Sequence, residues 1–218
     1  MIGLSLELED GAPLRVLCLG AHCDDIEIGA GATVRRLIRE AGRSRPVHVH
    51  WEVLASTPER EAEARASAAE VLEGAAQSSV EVRTFRESYF PDQWSEIKDH
   101  MFEVRSSFTP DLVLSHHRQD RHQDHGVVAE LTWNTFRDHL ILEYEIPKYE
   151  GDLGQPNFFV RLEAAAASEK IESLRRHFLS QADKPWFDAE TFRALMRLRG
   201  VESNAPYAEA FHASKICF

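Results

Sequence analysis

Two short stretches concentrate the side chains able to hold a cation or move a proton. The first is Ala21-His22-Cys23-Asp24-Asp25-Ile26-Glu27. The second, His116 to His125 (HHRQDRHQDH), packs four histidines and two aspartates into ten positions of a chain with 11 His in 218 residues. Chance would place about half of one histidine there. Imidazole nitrogen and carboxylate oxygen are the ligands of a catalytic zinc site, in which three protein groups leave a position open. His22 and Asp25, joined by one imidazole of the second stretch, would supply two nitrogens and one carboxylate. The positive charge left on such an ion lowers the pKa of bound water and polarises a carbonyl oxygen. Asp24, beside the set without belonging to it, suits a general base. His122 lies three residues before His125 and shares its face on a helix. Protonated, it could steady an oxyanion and hand a proton to a leaving amine.

These residues need elements to position them. Leu14 to Gly20 (LRVLCLG) is a short apolar run ending in Gly, as in a buried parallel strand. From Ile26 a helical pattern runs to a stop at Gly42. A second strand is expected over Val47 to Ala55, and Ser56-Thr57-Pro58 caps a helix reaching about Gly74. A third strand is expected over Val80 to Phe85, a third helix over Gln93 to Ser107 and a fourth strand over Asp111 to His117. After Gly126 come a helix to about His139, a strand over Ile141 to Ile146, a Gly/Pro-containing stretch, and helical patterns near 164–181 and 188–200. Such alternation predicts a Rossmann-like three-layer α/β/α sandwich with a mostly parallel sheet, in a single domain spanning 1–218. Ligands of such sheets collect beyond the carboxyl ends of the strands, where both unusual stretches fall.

Composition narrows the partners. With 25 basic and 36 acidic residues the net charge is −11, which argues against a phosphate-backbone surface and so against nucleic acid. No apolar run approaches a membrane span, and MIGLSLELED lacks the pattern of a secretory leader. The expectation is a cytoplasmic protein without a membrane partner. Cys18, Cys23 and Cys217 are an odd set with no scaffold spacing, which predicts reduced thiols.

At AHCDDIEIG and HHRQDRHQDH the sequence resembles the PIG-L/LmbE-like deacetylase family, whose hallmark is A-H-P-D-D-E followed by Gly, with a later H-P-x-D-x-H-x-D-H-like segment. The resemblance is clear over residues 14–31 and 111–126 and thinner through Arg60 and the tail YAEAFH. It implies that His22, Asp25 and His125 hold zinc (Fe2+ or another divalent metal being an alternative) and that Asp24 is the general base. It further implies that His122 is the catalytic histidine and Asp124 the acid that orients it. The implied reaction is removal of an N-acetyl group from a small amino-sugar-containing molecule: a sugar, nucleotide sugar or glycoside. Cys23 stands where the family has Pro, and Ile26 where an acidic residue follows the Asp pair. WEVLASTPERE lacks the Gly-Thr-Arg-Gly-like loop of many small-sugar deacetylases. A homo-oligomer is compatible with all of this.

The same residues admit other readings. Asp24 and Asp25 also suit a helix N-terminus through the macrodipole. Of His116 and His117, strand alternation turns one inward. Asp120 fits a loop brace as well as a catalytic duty. His48 and His50 read as structural, Arg60 as a helix-surface charge, and Cys23 as a spacer. Glu143, Tyr144 and Glu145 alternate in a strand, and the sequence does not say which of them faces a pocket. A nucleotide- or S-adenosylmethionine-binding domain is the main alternative function, but the glycines after the first strand do not form GxGxxG. A non-catalytic family member is the third.

Overall fold

The computed structural model describes residues 11–41 and 44–216. Among the described residues seven strands form one sheet in the order β3-β2-β1-β4-β5-β7-β6. Strands β1 (Leu14–Gly20), β2 (Val47–Val53), β3 (Gln77–Val82), β4 (Leu112–His116) and β5 (Leu140–Tyr144) run parallel. β6 (Phe158–Leu162) and β7 (Tyr207–Ala213) close the edge antiparallel. Helices α1 (Asp25–Ala41), α2 (Pro58–Val71), α5 (Ala164–His177) and α6 (Ala189–Ser203) bury one apolar cluster against the sheet. Helices α3 (Trp94–Ser107) and α4 (Gln123–Thr135) bury a second on the other face. This is the three-layer α/β/α arrangement read from the alternation.

From β1 the chain winds outward through β2 to β3, and from β4 it winds the other way to β5. The order therefore reverses between β1 and β4, and the loops leaving these two strands diverge around a crevice where ligands bind in such sheets. Both His/Asp stretches are these loops.

Local chemistry explains the main boundaries. Thr57 accepts the Arg60 N–H and Pro58 opens α2, while Asp188 caps α6 through Glu190 and Thr191 N–H. α4 starts at Gln123, earlier than the expected start after Gly126, because the His122 side chain serves as its N-cap and accepts the Asp124 N–H. β3 starts at Gln77, since its pairing with β2 begins at His48 opposite Gln77. The expected stop of α1 at Gly42 and the third cysteine, Cys217, lie outside the described residues. Cys18 and Cys23 are buried free thiols. No helix among the described residues is long and apolar enough to cross a membrane.

Gly29 has a packing duty close to the crevice. A Cβ there would lie 2.2 Å from the Tyr144 ring, a separation no side chain can occupy. That close approach seats the Tyr144 hydroxyl to donate to Leu19 O at 2.6 Å, with His116 Nε2 3.2 Å away.

Candidate metal centre

The β1 loop is folded by its own carboxylate: Asp25 Oδ2 accepts the His22 N–H at 2.7 Å. The β4 loop is folded the same way, with Asp120 Oδ1 accepting the His122 N–H at 2.9 Å. A direct bond ties the two loops, Ala21 N–H to His116 Nε2 at 3.0 Å. Asp-to-backbone closures of this kind are compact turn devices, and here they aim the remaining side chains inward.

Three side chains then converge. His22 Nδ1 is 3.3 Å from Asp25 Oδ2, His125 Nε2 is 3.5 Å from Asp25 Oδ1, and the two nitrogens are 3.2 Å apart. With zinc–ligand bonds of 2.0–2.1 Å, the edge of a coordination tetrahedron is about 3.3 Å. His122 and His116 extend the cluster: His22, His122 and His125, and also Asp25, His116 and His125, each offer ligand atoms within 4.8 Å of one another. His125 is common to both sets.

Each central imidazole has a carboxylate behind it. Asp124 Oδ2 lies 3.1 Å from His22 Nε2, and Asp120 Oδ2 lies 2.9 Å from His125 Nδ1. A proton held in each of these outer bonds leaves the inner nitrogens with free lone pairs, as metal-binding histidines require. Asp124 is itself held by the N–H groups of Ser88 at 2.6 Å and Phe90 at 3.2 Å. Ser88 supplies its N–H from a left-handed backbone, φ 67°, a conformation that costs energy outside glycine.

The charges follow from these contacts. Burial works against an ionised Asp25, yet His125, His116 and His22 around it hold its carboxyl well below the usual range. Burial and the His116 ring push His125 down to about 4. Burial also disfavours charge on His22, but Asp25 and Asp124 outweigh it and raise that imidazole to about 10. A positive charge is thus stabilised where His22 faces Asp25. Burial raises Asp24 while Arg60 opposes it, with Arg60 Nη2 3.1 Å from Asp24 Oδ1.

Two expected roles change. The Asp124 carboxylate turns to His22, whereas its backbone N–H donates to His122 Nδ1 at 3.3 Å; Asp124 therefore orients His122 through the helix cap alone. His122 was expected as an imidazolium, but burial and the neighbouring His22 lower its pKa, which leaves a neutral ring whose Nε2–H remains a donor. Other residues sort by face. His116 is buried and stacked on His125 at 4.0 Å, whereas His117 turns to Glu143 and stacks on His212. Arg60 belongs to the site rather than to a helix surface. Asp120 is both loop brace and imidazole support. His50 bonds Ser79 and Glu52, a structural duty.

Sequence reasoning did not reach Lys148, whose Nζ lies 2.9 Å from Asp120 Oδ2, nor the Ser88 and Phe90 amides. A backbone donor leaves no trace in residue type. A cleft of about 390 Å3 lies elsewhere, between α1 and α5, with Glu27, Lys170 and Leu174 on its walls and none of the clustered imidazoles.

Known proteins share this fold. N,N'-diacetylchitobiose deacetylase from Pyrococcus horikoshii superposes with a TM-score of 0.67 at 19% identity, covering 91% of this chain and 83% of that one. GalB, the 4-carboxy-2-hydroxymuconate hydratase from Pseudomonas putida KT2440, does so at 0.66 and 18%, covering 94% and 98%. The zinc-inhibited form of teicoplanin deacetylase Orf2 gives 0.65 and 15%, covering 92% and 97%. Because one of these folds is described as a hydratase, architecture alone does not select the reaction. The profile of the family described as PIG-L: GlcNAc-PI de-N-acetylase matches residues 17–136, which take in both loops and every clustered imidazole, and the chain belongs to that family.

Proposed function

We propose that this chain is a divalent-metal-dependent hydrolase, with zinc the first candidate ion, that removes an N-acetyl group from an amino-sugar-containing small molecule. The observation that carries the reading is the convergence of His22 Nδ1 and His125 Nε2, 3.2 Å apart, on the two oxygens of the Asp25 carboxylate at 3.3 and 3.5 Å. Family membership and the deacetylases among the similar folds support the choice of reaction.

The residues fit a catalytic ion: two imidazole nitrogens and one carboxylate, each imidazole backed by an outer carboxylate, with the ion taking the place of the proton that Asp25 and Asp124 favour on His22. An ion held there supplies Lewis acidity towards a carbonyl oxygen and towards water. Asp24 takes a proton from the attacking water, and Arg60 aims that carboxylate and offsets part of its burial. The Nε2–H of His122 donates to the oxygen that gains charge as the amide carbonyl becomes tetrahedral. When the C–N bond breaks, the proton gathered by Asp24 passes to the departing nitrogen, which leaves as an amine beside acetate.

The test is a mass-shift screen for loss of an acetyl group across free, phosphorylated and nucleotide-linked N-acetylated sugars and glycosides, run with zinc-loaded and metal-stripped protein. Release of a free amine only by the loaded protein is expected. A loaded protein that deacetylates none of the panel contradicts the reading.

A further inference from the structure

Asp120 Oδ2 carries two contacts, His125 Nδ1 at 2.9 Å and Lys148 Nζ at 2.9 Å. Lys148 lies just after β5, with its side chain only 9% exposed. Its Nζ also reaches Asp152 Oδ1 at 2.7 Å, and the other Asp152 oxygen accepts the Arg121 N–H at 2.7 Å. The ammonium is therefore fixed from two sides, one hydrogen bond from the atom that supports His125. His22 has a different arrangement, since its carboxylate Asp124 is met by the neutral N–H groups of Ser88 and Phe90.

A carboxylate behind a ligand imidazole raises the donor strength of that ring. An ammonium sharing the same oxygen draws negative charge off the carboxylate and weakens the effect. It also repels a cation in the cluster directly. Both influences loosen the ion and leave it more positive charge to act on substrate. We infer that Lys148 is a positioning residue acting through Asp120, one that limits the charge passed to His125 and so leaves the ion less tightly held and more acidic than an unshared carboxylate would. The inference rests on the metal-centre reading above.

A merely structural lysine predicts the opposite sign, because losing a brace loosens a metal site. The experiment measures zinc affinity of the full chain by competition with a chromophoric chelator, alongside thermal melting of each metal-stripped variant. Lys148→Met should bind zinc roughly tenfold more tightly than wild type. Lys148→Arg, which keeps the charge, should stay within about twofold. In an Asp120→Asn background, Lys148→Met should gain less, because only the direct repulsion between ammonium and ion is then left to remove. Unchanged or weaker binding by Lys148→Met with an intact melting transition overturns the inference, and Lys148→Gln decides the matter in the same way if the Met variant does not fold. Wild-type protein that takes up no zinc removes the metal centre itself, and this inference with it.

Discussion

Two buried polar clusters lie along α1, and they are built on opposite principles. Around Glu209 every acceptor has a donor: its carboxylate receives the Ala32 and Thr33 N–H groups, the Thr33 hydroxyl and the Lys170 ammonium. Lys170 in turn donates to Ile28 O. Around His22, Asp25 and His125 each ring turns one nitrogen out to a carboxylate, so that the other nitrogens and the Asp25 carboxylate face one another at 3.2–3.5 Å. The first cluster is complete as it stands, while the second gathers groups that could share a metal ion. Buried polar groups are ordinarily satisfied, so a convergence of acceptors is the signature of a site rather than of a scaffold.

The comparison breaks most visibly at Asp24. Asp24→Asn should keep the ion and lose about 10²- to 10⁴-fold in kcat on any N-acyl substrate the chain turns over, measured by steady-state kinetics with metal content checked in the same sample. Glu209→Ala should do the reverse. It strands Lys170 and two α1 amides, so denaturant unfolding should show a loss of about 3–5 kcal/mol. Activity per folded molecule should hold, because the first turn of α1 keeps its own Ile28 N–H to Asp24 O bond of 3.0 Å.

A second complete cluster sharpens the contrast through pH. Glu52 is buried, but His100, His50 and Arg83 outweigh that burial and lower its carboxyl to about 2 from an ordinary 4.5. A depressed folded-state pKa gives stability that is fully present above about 4.5 and lost as pH falls towards about 2. Melting curves of wild type and Glu52→Gln should therefore differ near neutrality, by about 1.5–3 kcal/mol, and converge in that acidic window. Asp120→Asn belongs to the open cluster again, and chelator competition should show zinc affinity falling by about 10- to 100-fold. The smallest effect is expected at the surface: Arg65→Ala removes the exposed pair with Glu61 and should cost no more than about 0.5 kcal/mol in the same unfolding assay.

Much of this was readable before any coordinates. β1 and β4 are dense apolar runs, and each ends in a cluster of His and Asp that no scaffold requires, so both the central strands and the residues of the site stood out. The antiparallel edge did not. β6 (FFVRL) is half-buried and short, and β7 (YAEAFHA) carries Glu209 and His212 inside the sheet, so neither shows the alternation that marks a strand. Pairing of β7 between β5 and β6 is a long-range choice that local pattern does not encode. His122 misplaced the start of α4 because its ring does the capping usually done by Ser, Thr, Asp or Asn. The family resemblance pairs Asp124 with His122, whereas folding brings His22 to its carboxylate from 102 residues away.

The proposed site needs two distant loops to close on one cation. Zinc titration of metal-stripped wild type, Asp25→Asn and His125→Ala, followed by isothermal calorimetry, tests it most directly. One tight equivalent for wild type and a collapse of that binding in both variants is the predicted result. No tight site in the wild type, or binding that both substitutions leave intact, contradicts it.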